Sequence, residues 1–106
     1  MTLTYEEASS RLYEAQDLLN KQDINDLPKV AQIRLLEAQR FVYVELQMLE
    51  AARINSRLDE YQILSDGMAQ SEVGFRAIHD WAAEAGKTGQ TVEYLFKGLS
   101  LILSLF

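Results

Sequence analysis

The chain has 106 residues, a formal net charge of -6 and no cysteine. That length fits one domain, over residues 1–106, and 48% hydrophobic with 25% charged residues is typical of a globular protein rather than a disordered one. The lack of cysteine excludes disulfides, thiol nucleophiles and cysteine-bound metals, and a single histidine leaves little for a histidine cluster. We therefore expect no metal ion and no cofactor.

Acidic residues are concentrated near the beginning of the chain. Residues 1–26 carry six acids and two bases, whereas the remainder is close to balanced. No cluster of Lys and Arg is present, which disfavours direct binding to DNA or RNA. No stretch approaches the roughly 20 apolar residues of a membrane span, and the first ten residues lack the pattern of a signal peptide. We expect a cytoplasmic location, with signal-less secretion left open.

A first helix is predicted from Thr4 to about Lys21. Thr4 and Glu7 form a T-x-x-E capping box, in which side chains satisfy two free backbone N–H groups. Apolar residues then recur at spacings of three and four, which places them on one face and predicts that this face is buried. They are Tyr5, Ala8, Leu12, Ala15 and Leu19.

A polar turn follows, in which Asn25 or Asp26 is suited to cap the next helix. No Gly or Pro occurs between Pro28 and residue 64, which predicts a long second helix over residues 27–64. The run Phe41–Val44 is also typical of a strand, but its flanks are strong helix formers. We therefore expect this region to be helical.

The predicted second helix carries two apolar stripes on nearly opposite sides. One core cannot easily bury both, so its middle is expected to lie between neighbours or against a partner chain. Glu37 and Asn55 fall on the first stripe and Arg40 at its edge, where they would set the register of a helix–helix contact or lie at the stripe's margin. The first stripe contains Val30, Ile33, Phe41, Val44, Met48, Ala51 and Leu58, and the second contains Leu35, Ala38, Val42, Leu46 and Leu49.

The last third of the chain predicts two more helices. Residues 65–67, Ser-Asp-Gly, indicate a stop and a restart, with a third helix from near Asp66 to Ala85 and Gly86 as its left-handed cap. The last helix is predicted from near Thr91 to the C-terminus. Its residues 99–105 also alternate with period two, as in a strand, but a helix accounts better for its polar stripe. That stripe contains Glu93, Lys97, Ser100 and Ser104.

This last helix is apolar everywhere outside the polar stripe. A helix that is apolar on most sides must be buried on most sides, and four helices from 106 residues are a small number to cover it. The tail therefore indicates an oligomer or an obligate partner.

Motifs that carry chemistry are weak. The run Gly86-Lys87-Thr88 matches the end of a phosphate-binding loop, but Trp81 stands where the motif needs its first Gly, so a helix cap is the better interpretation. His79 and Asp80 are adjacent, and neighbouring residues on a helix point about 100° apart, so we do not expect them to pair. No catalytic triad, paired carboxylates or metal set is visible, and we expect no enzyme.

As a whole the sequence predicts an all-α fold of three to four helices, dominated by a long antiparallel hairpin of residues 27–64 and 66–85, and oligomeric. We expect a non-enzymatic helical protein–protein interaction module, either a self-assembling subunit or a chaperone or adaptor. The expected partner is a second copy or another helical protein, with no small-molecule substrate. The expected interaction residues are Leu35, Val42, Leu46, Leu49, Tyr94, Leu99, Ile102, Leu103 and Phe106.

Two other functions are compatible with the sequence. The first is an acidic inhibitor or immunity-type protein, which would present its N-terminal acids to a basic surface of a partner. The second is an unrecognised small helical enzyme that uses His79 and Arg76. The acids of the first alternative are Glu6, Glu7, Glu14 and Asp17.

Overall fold

The first helix, α1, spans Tyr5–Lys21 in a computed structural model that describes residues 3–56 and 58–106, without the side chains of residues 53–56. It begins at the predicted capping box: Thr4 Oγ1 accepts from the Glu7 N–H, and the Glu7 carboxylate accepts from the Thr4 N–H. These bonds hold the pKa of Glu7 below its usual range. The predicted stripe is confirmed, since Ala8, Leu12, Ala15 and Leu19 are fully buried.

The turn after α1 differs in detail from the prediction. Asn25 and Asp26, predicted to cap the second helix, lie instead inside a short 3-10 turn at Ile24–Asp26. Asp23 caps this turn, and its carboxylate accepts from the Asn25 N–H. The second helix, α2, spans Lys29–Ser56 and includes the strand-like run 41–44. Its 28 residues make it the longest helix.

α2 ends at Ser56, eight residues before the predicted end at 64, and residues 58–65 are not helical. Backbone hydrogen bonds tie this segment to the start of the chain, from the Tyr5 N–H to the Asp59 carbonyl and from the Tyr61 N–H to the Leu3 carbonyl. The rings of Tyr5 and Tyr61 meet edge to face with centroids 5.6 Å apart. These long-range contacts end α2 where the local sequence contains no helix breaker.

The predicted third helix is divided into α3, Asp66–Ala69, and α4, Glu72–Lys87. Ser71 causes the break, because its hydroxyl donates to the Met68 carbonyl at 2.7 Å and competes with continued helix. The left-handed residue after α4 is Gly89, with φ 88°, and not the predicted Gly86. The Gln90 N–H to Ala85 and the Gly89 N–H to Gly86 bonds complete a Schellman motif there.

The last helix, α5, spans Glu93–Leu103, so the strand alternative is wrong. Its free N-terminus is capped from α1: the buried Gln22 side chain accepts from the Leu95 N–H at 3.1 Å and donates to the Thr91 carbonyl at 2.8 Å. The described residues thus form five α-helices, rather than three to four, and contain no strand.

The helices pack in a ring. α1 lies antiparallel between α2 and α5, and α4 lies on the other side of α5. α2 and α4 meet less extensively, along the N-terminal half of α2, where Phe41 lies near Phe75 with ring centroids 6.1 Å apart. The closest helix pairs are therefore not those of the predicted hairpin. In the described part of the chain, no helix is long and apolar enough to cross a membrane.

Candidate functional site

The two apolar stripes of α2 have different surroundings. The stripe that includes Leu35, Val42 and Leu49 is buried against α1 and the rest of the core. The opposite stripe is exposed apart from Phe41, which is half-buried near Phe75 of α4, so a single chain covers only one stripe fully. Together with the exposed Leu36 and Tyr43 beside it, this stripe forms what we call the outer face of α2. Its large apolar residues, each between 38% and 66% exposed, are Val30, Ile33, Leu36, Tyr43, Val44 and Met48.

Polar residues interrupt the outer face at its middle. Arg40 and Gln47 are exposed and Glu37 is half-buried. The Glu37 carboxylate accepts from the Arg34 guanidinium at 2.9 Å, as an exposed pair three residues apart on the same helix. Such pairs contribute little to stability, on the order of 0.5 kcal/mol. Arg40 has no ion-pair partner among the described residues. The side chain of Asn55, predicted with Glu37 to set a register, lies outside the described residues.

A buried carboxylate fixes which side of α2 points inward. Glu45 lies on the inner side of α2 and is fully buried. One oxygen accepts from the Tyr61 hydroxyl at 2.5 Å and the Leu64 N–H at 2.8 Å, and the other accepts from the Ser65 N–H at 2.8 Å. Burial, and then the bond to Glu45, raises the pKa of Tyr61. These bonds satisfy the buried charge without a cation, and they hold residues 61–65 against α2.

Sequence reasoning missed Glu45. Its position between Val42 and Leu46 on the buried stripe was the available signal, since a lone acid inside an apolar stripe requires hydrogen-bond partners. The partners themselves lie 16 to 20 residues away along the chain, in a segment that was predicted to be helical.

Four of the predicted interaction residues lie in the core of the chain itself. Leu35, Val42, Leu46 and Leu49 are between 0% and 5% exposed, so no partner reaches them in this conformation. The physical reason is that α1 supplies an apolar face of matching length for this stripe.

The predicted interaction residues of the tail are mostly covered as well. Leu99 and Ile102 are fully buried between α1 and α4, and Leu103 is half-buried. Tyr94 and Phe106 are each 40% exposed. Most of the apolar surface that indicated an oligomer at the C-terminus is thus covered within one chain.

His79 and Asp80 are in contact, contrary to the sequence prediction. His79 Nδ1 lies 3.1 Å from Asp80 Oδ1, and Nε2 lies 3.0 Å from Ser100 Oγ on α5. The imidazole ring stacks on Phe96 with centroids 4.6 Å apart. The pairing is possible because adjacent side chains can bend toward each other when a third group, here Ser100, orients the ring.

This Asp–His–Ser arrangement links two helices. The Ser100 hydroxyl also lies 2.9 Å from the Phe96 carbonyl, to which it donates within α5. A cleft of about 510 Å³ borders the arrangement through Phe96, and a second cleft of about 350 Å³ is lined by Arg34, Gly67 and Gly74. The contact between His79 and Ser100 connects α4 to α5.

The remaining sequence motifs have local roles. Thr88 of the Gly86-Lys87-Thr88 run donates to the Ala85 carbonyl at 2.9 Å and belongs to the end of α4. On α1, Glu7 is used in the capping box and Asp17 pairs with Lys21 at 3.1 Å, although all four predicted acids are exposed. Among the described residues, no group of three or more metal-ligating side chains lies close enough to hold an ion.

Comparison with known proteins gives no relative from which a role could be transferred. No family model matches the chain, and neither a curated protein nor a solved structure is significantly similar to it.

Proposed function

We propose that this protein is a non-enzymatic interaction module that binds another protein helix along the outer face of α2. The observation that carries the proposal is the alignment of six exposed large apolar side chains along one side of the longest helix. An amphipathic helix would bury these side chains by packing ridges into the grooves between them.

The size of this patch supports the proposal. From their exposed fractions, the six side chains expose on the order of 600 Å². Single exposed apolar residues are normal on a monomer, and the largest apolar patch of a typical monomer, about 300–600 Å², is often functional. The outer face reaches the upper end of that range even though polar residues interrupt it. Burying it would stabilise a complex through the hydrophobic effect.

The position of the proposed surface differs from the sequence expectation, although its nature is the same. The sequence placed the interaction surface on the C-terminal tail and on the stripe that contains Leu46. Most of these residues are buried in the core of the chain. The proposal rests instead on the stripe that contains Ile33 and Val44. Under this proposal the protein needs no small-molecule substrate, and His79 has a structural rather than a catalytic role.

The test is a pair of charge substitutions with a matched control. Ile33→Asp combined with Val44→Asp places two charges on the outer face, whereas Val73→Asp places one on α4, where Val73 is 83% exposed and isolated. Mass in solution is measured by light scattering, and proteins retained by the tagged full chain are identified by mass spectrometry. We expect the outer-face variant to lose an association that wild type and Val73→Asp both keep.

Circular dichroism establishes that the variants are folded. If wild type associates with nothing, or if the association is equally strong in the outer-face variant, the outer face is not a binding surface and the proposal is wrong.

A further inference from the structure

The polar residues in the middle of the outer face identify a partner, and this inference rests on the proposed function. We infer that the partner is a second copy of this chain, whose α2 packs antiparallel against the first. The pairing brings Glu37 of each copy opposite Arg40 of the other.

The outer face has the spacing of a two-helix seam. Residues along its centre alternate at spacings of three and four, which is the heptad pattern of helices that pack side by side. Leu36 and Tyr43, seven residues apart, flank the seam on one side. The central residues are Val30, Ile33, Glu37, Arg40, Val44, Gln47 and Ala51.

Charge complementarity selects the direction and the register. In an antiparallel pair with its two-fold axis between residues 38 and 39, Ile33 faces Val44 of the other copy and Glu37 faces Arg40. A parallel pair places Glu37 against Glu37 and Arg40 against Arg40, which is repulsive. Moving the antiparallel pair by one heptad places Arg40 against Val30 in one direction and against Val44 in the other, and both leave the charge without a counterion. One arrangement therefore satisfies both charges.

The flanking side chains fit the same arrangement. Leu36 of each copy lies beside Tyr43 of the other. One such apolar contact is therefore made on each side of the two-fold axis. Arg40 is free to make the new pair, because it has no ion-pair partner among the described residues. Glu37 can accept from Arg34 of its own chain and Arg40 of the other, since a carboxylate has four lone-pair sites.

The exposed apolar area approaches what a stable dimer needs. The six apolar residues expose on the order of 600 Å², and one partner contributes about 800 Å² to a standard interface, the remainder of which polar residues such as Arg40 and Gln47 would supply. The 28 residues of α2 span about 42 Å, close to the 45 Å long axis of the molecule. The seam is therefore nearly as long as the molecule.

Charge reversal tests the pairing directly. Glu37→Arg places two arginines in each charged layer and Arg40→Glu places two glutamates, so each single variant is expected to weaken dimerisation by about tenfold or more. The double variant Glu37→Arg with Arg40→Glu restores opposite charges and is expected to return the dimerisation constant to within a few-fold of wild type. Sedimentation equilibrium of the full chain measures all four proteins.

The control is Glu84→Arg, which also breaks an exposed pair three residues apart, to Lys87 on α4. It is expected to leave dimerisation unchanged. Single variants without effect, or a double variant without rescue, would overturn the antiparallel charge pairing.

Cross-linking provides a second measurement of direction. Because the chain has no cysteine, Ile33→Cys and Val44→Cys each introduce the only thiol. The antiparallel pair predicts a disulfide when the two variants are mixed, and much less of it from either variant alone. Efficient cross-linking of Ile33→Cys with itself would indicate a parallel pair and overturn the inference.

Failure of this inference is distinguishable from failure of the proposed function. A monomeric wild type overturns self-association, but the proposed function stands if Ile33→Asp with Val44→Asp abolishes binding of a different, identified protein. A monomeric wild type with no partner that depends on the outer face overturns both.

Discussion

Helix α5 is covered on most sides, whereas α2, which is more than twice as long, leaves a whole apolar stripe outside. α5 has α1 on one side and α4 on the other. α2 packs against α1 along its inner side and meets α3, α4 and α5 less extensively. How much of a helix its neighbours cover, and not its apolar content, decides which apolar surface stays exposed.

The largest expected effect is a loss of folding stability when a charge is placed in the core next to α5 rather than on the exposed stripe of α2. Leu99→Asp places a charge between α1 and α4, where the wild-type side chain is fully buried, and is expected to destabilise the fold by about 4 kcal/mol or more. Ile33→Asp, on the exposed stripe, is expected to change stability by about 0.5 kcal/mol at most. Urea unfolding followed by circular dichroism measures both. Equal losses would show that the outer face belongs to the fold.

The next largest effect compares the stability lost when the buried acid of α2, Glu45, or its outer-face acid, Glu37, is changed to glutamine. Glu45→Gln turns an acceptor into an NH₂ group, so the N–H of either Leu64 or Ser65 loses its partner, at a cost of about 2 kcal/mol. Glu37→Gln on the outer face changes one exposed ion pair and is expected to cost about 0.5 kcal/mol or less. A Glu45→Gln variant as stable as Glu37→Gln would contradict the anchoring role of Glu45.

A smaller effect tests how closely α5 approaches α1. A Cβ at Gly98 would lie 2.8 Å from Leu19 Cγ and Cδ2 and 3.4 Å from the Ala15 carbonyl oxygen, so Gly98→Ala is expected to destabilise by about 1–2 kcal/mol. Gly86→Ala is the matched control, because its nearest neighbour would be Val92 Cγ2 at 3.7 Å. Thermal unfolding should leave Gly86→Ala neutral or slightly stabilised, by the better helix propensity of Ala. The opposite order would mean that the two helices separate readily.

The smallest effect depends on pH. Because the pKa of Tyr61 is raised in the fold above its ordinary value of 10.0, the unfolded chain loses this proton first. The contribution of Tyr61 is therefore complete below pH 10 and decreases above it, by up to about 1.4 kcal/mol per pH unit. Unfolding at pH 9 and 11 measures the slope, and Tyr61→Phe should be less sensitive over this range. Identical slopes would contradict the burial of the Tyr61 hydroxyl.

Local patterns in the sequence were sufficient for part of this fold. The capping box at Thr4 and Glu7 and the buried stripe of α1 depend on residues within one or two turns, and both were predicted correctly. The break at Ser71 and the left-handed Gly89 were missed, because each depends on which of several nearby donors and acceptors pair. The end of α2 was missed because it depends on contacts with residues 3–5.

The sequence predicted the residues of the candidate site but not which of them are exposed. Two opposed stripes on α2 indicated that its middle would lie between neighbours or against a partner chain, and Glu37 and Arg40 were recognised as polar interruptions. The expected interaction residues Leu35, Val42, Leu46 and Leu49 lie on the buried stripe. The sequence could not indicate this, because both stripes are apolar and a periodic pattern carries no information about the neighbours of a helix. The covering of α5 was missed for the same reason.

The sequence by itself determined that this protein is helical, where most helices begin, and that α2 is apolar on two sides. These properties follow from side-chain spacing and backbone capping, which act over a few residues. The tertiary structure decided that the stripe of Leu35, Val42 and Leu49 faces α1, since Glu45 anchors residues 61–65 on that side. It also decided that α5 is buried within the chain. Both outcomes depend on the relative positions of helices far apart in sequence, because burial is a property of what surrounds a residue.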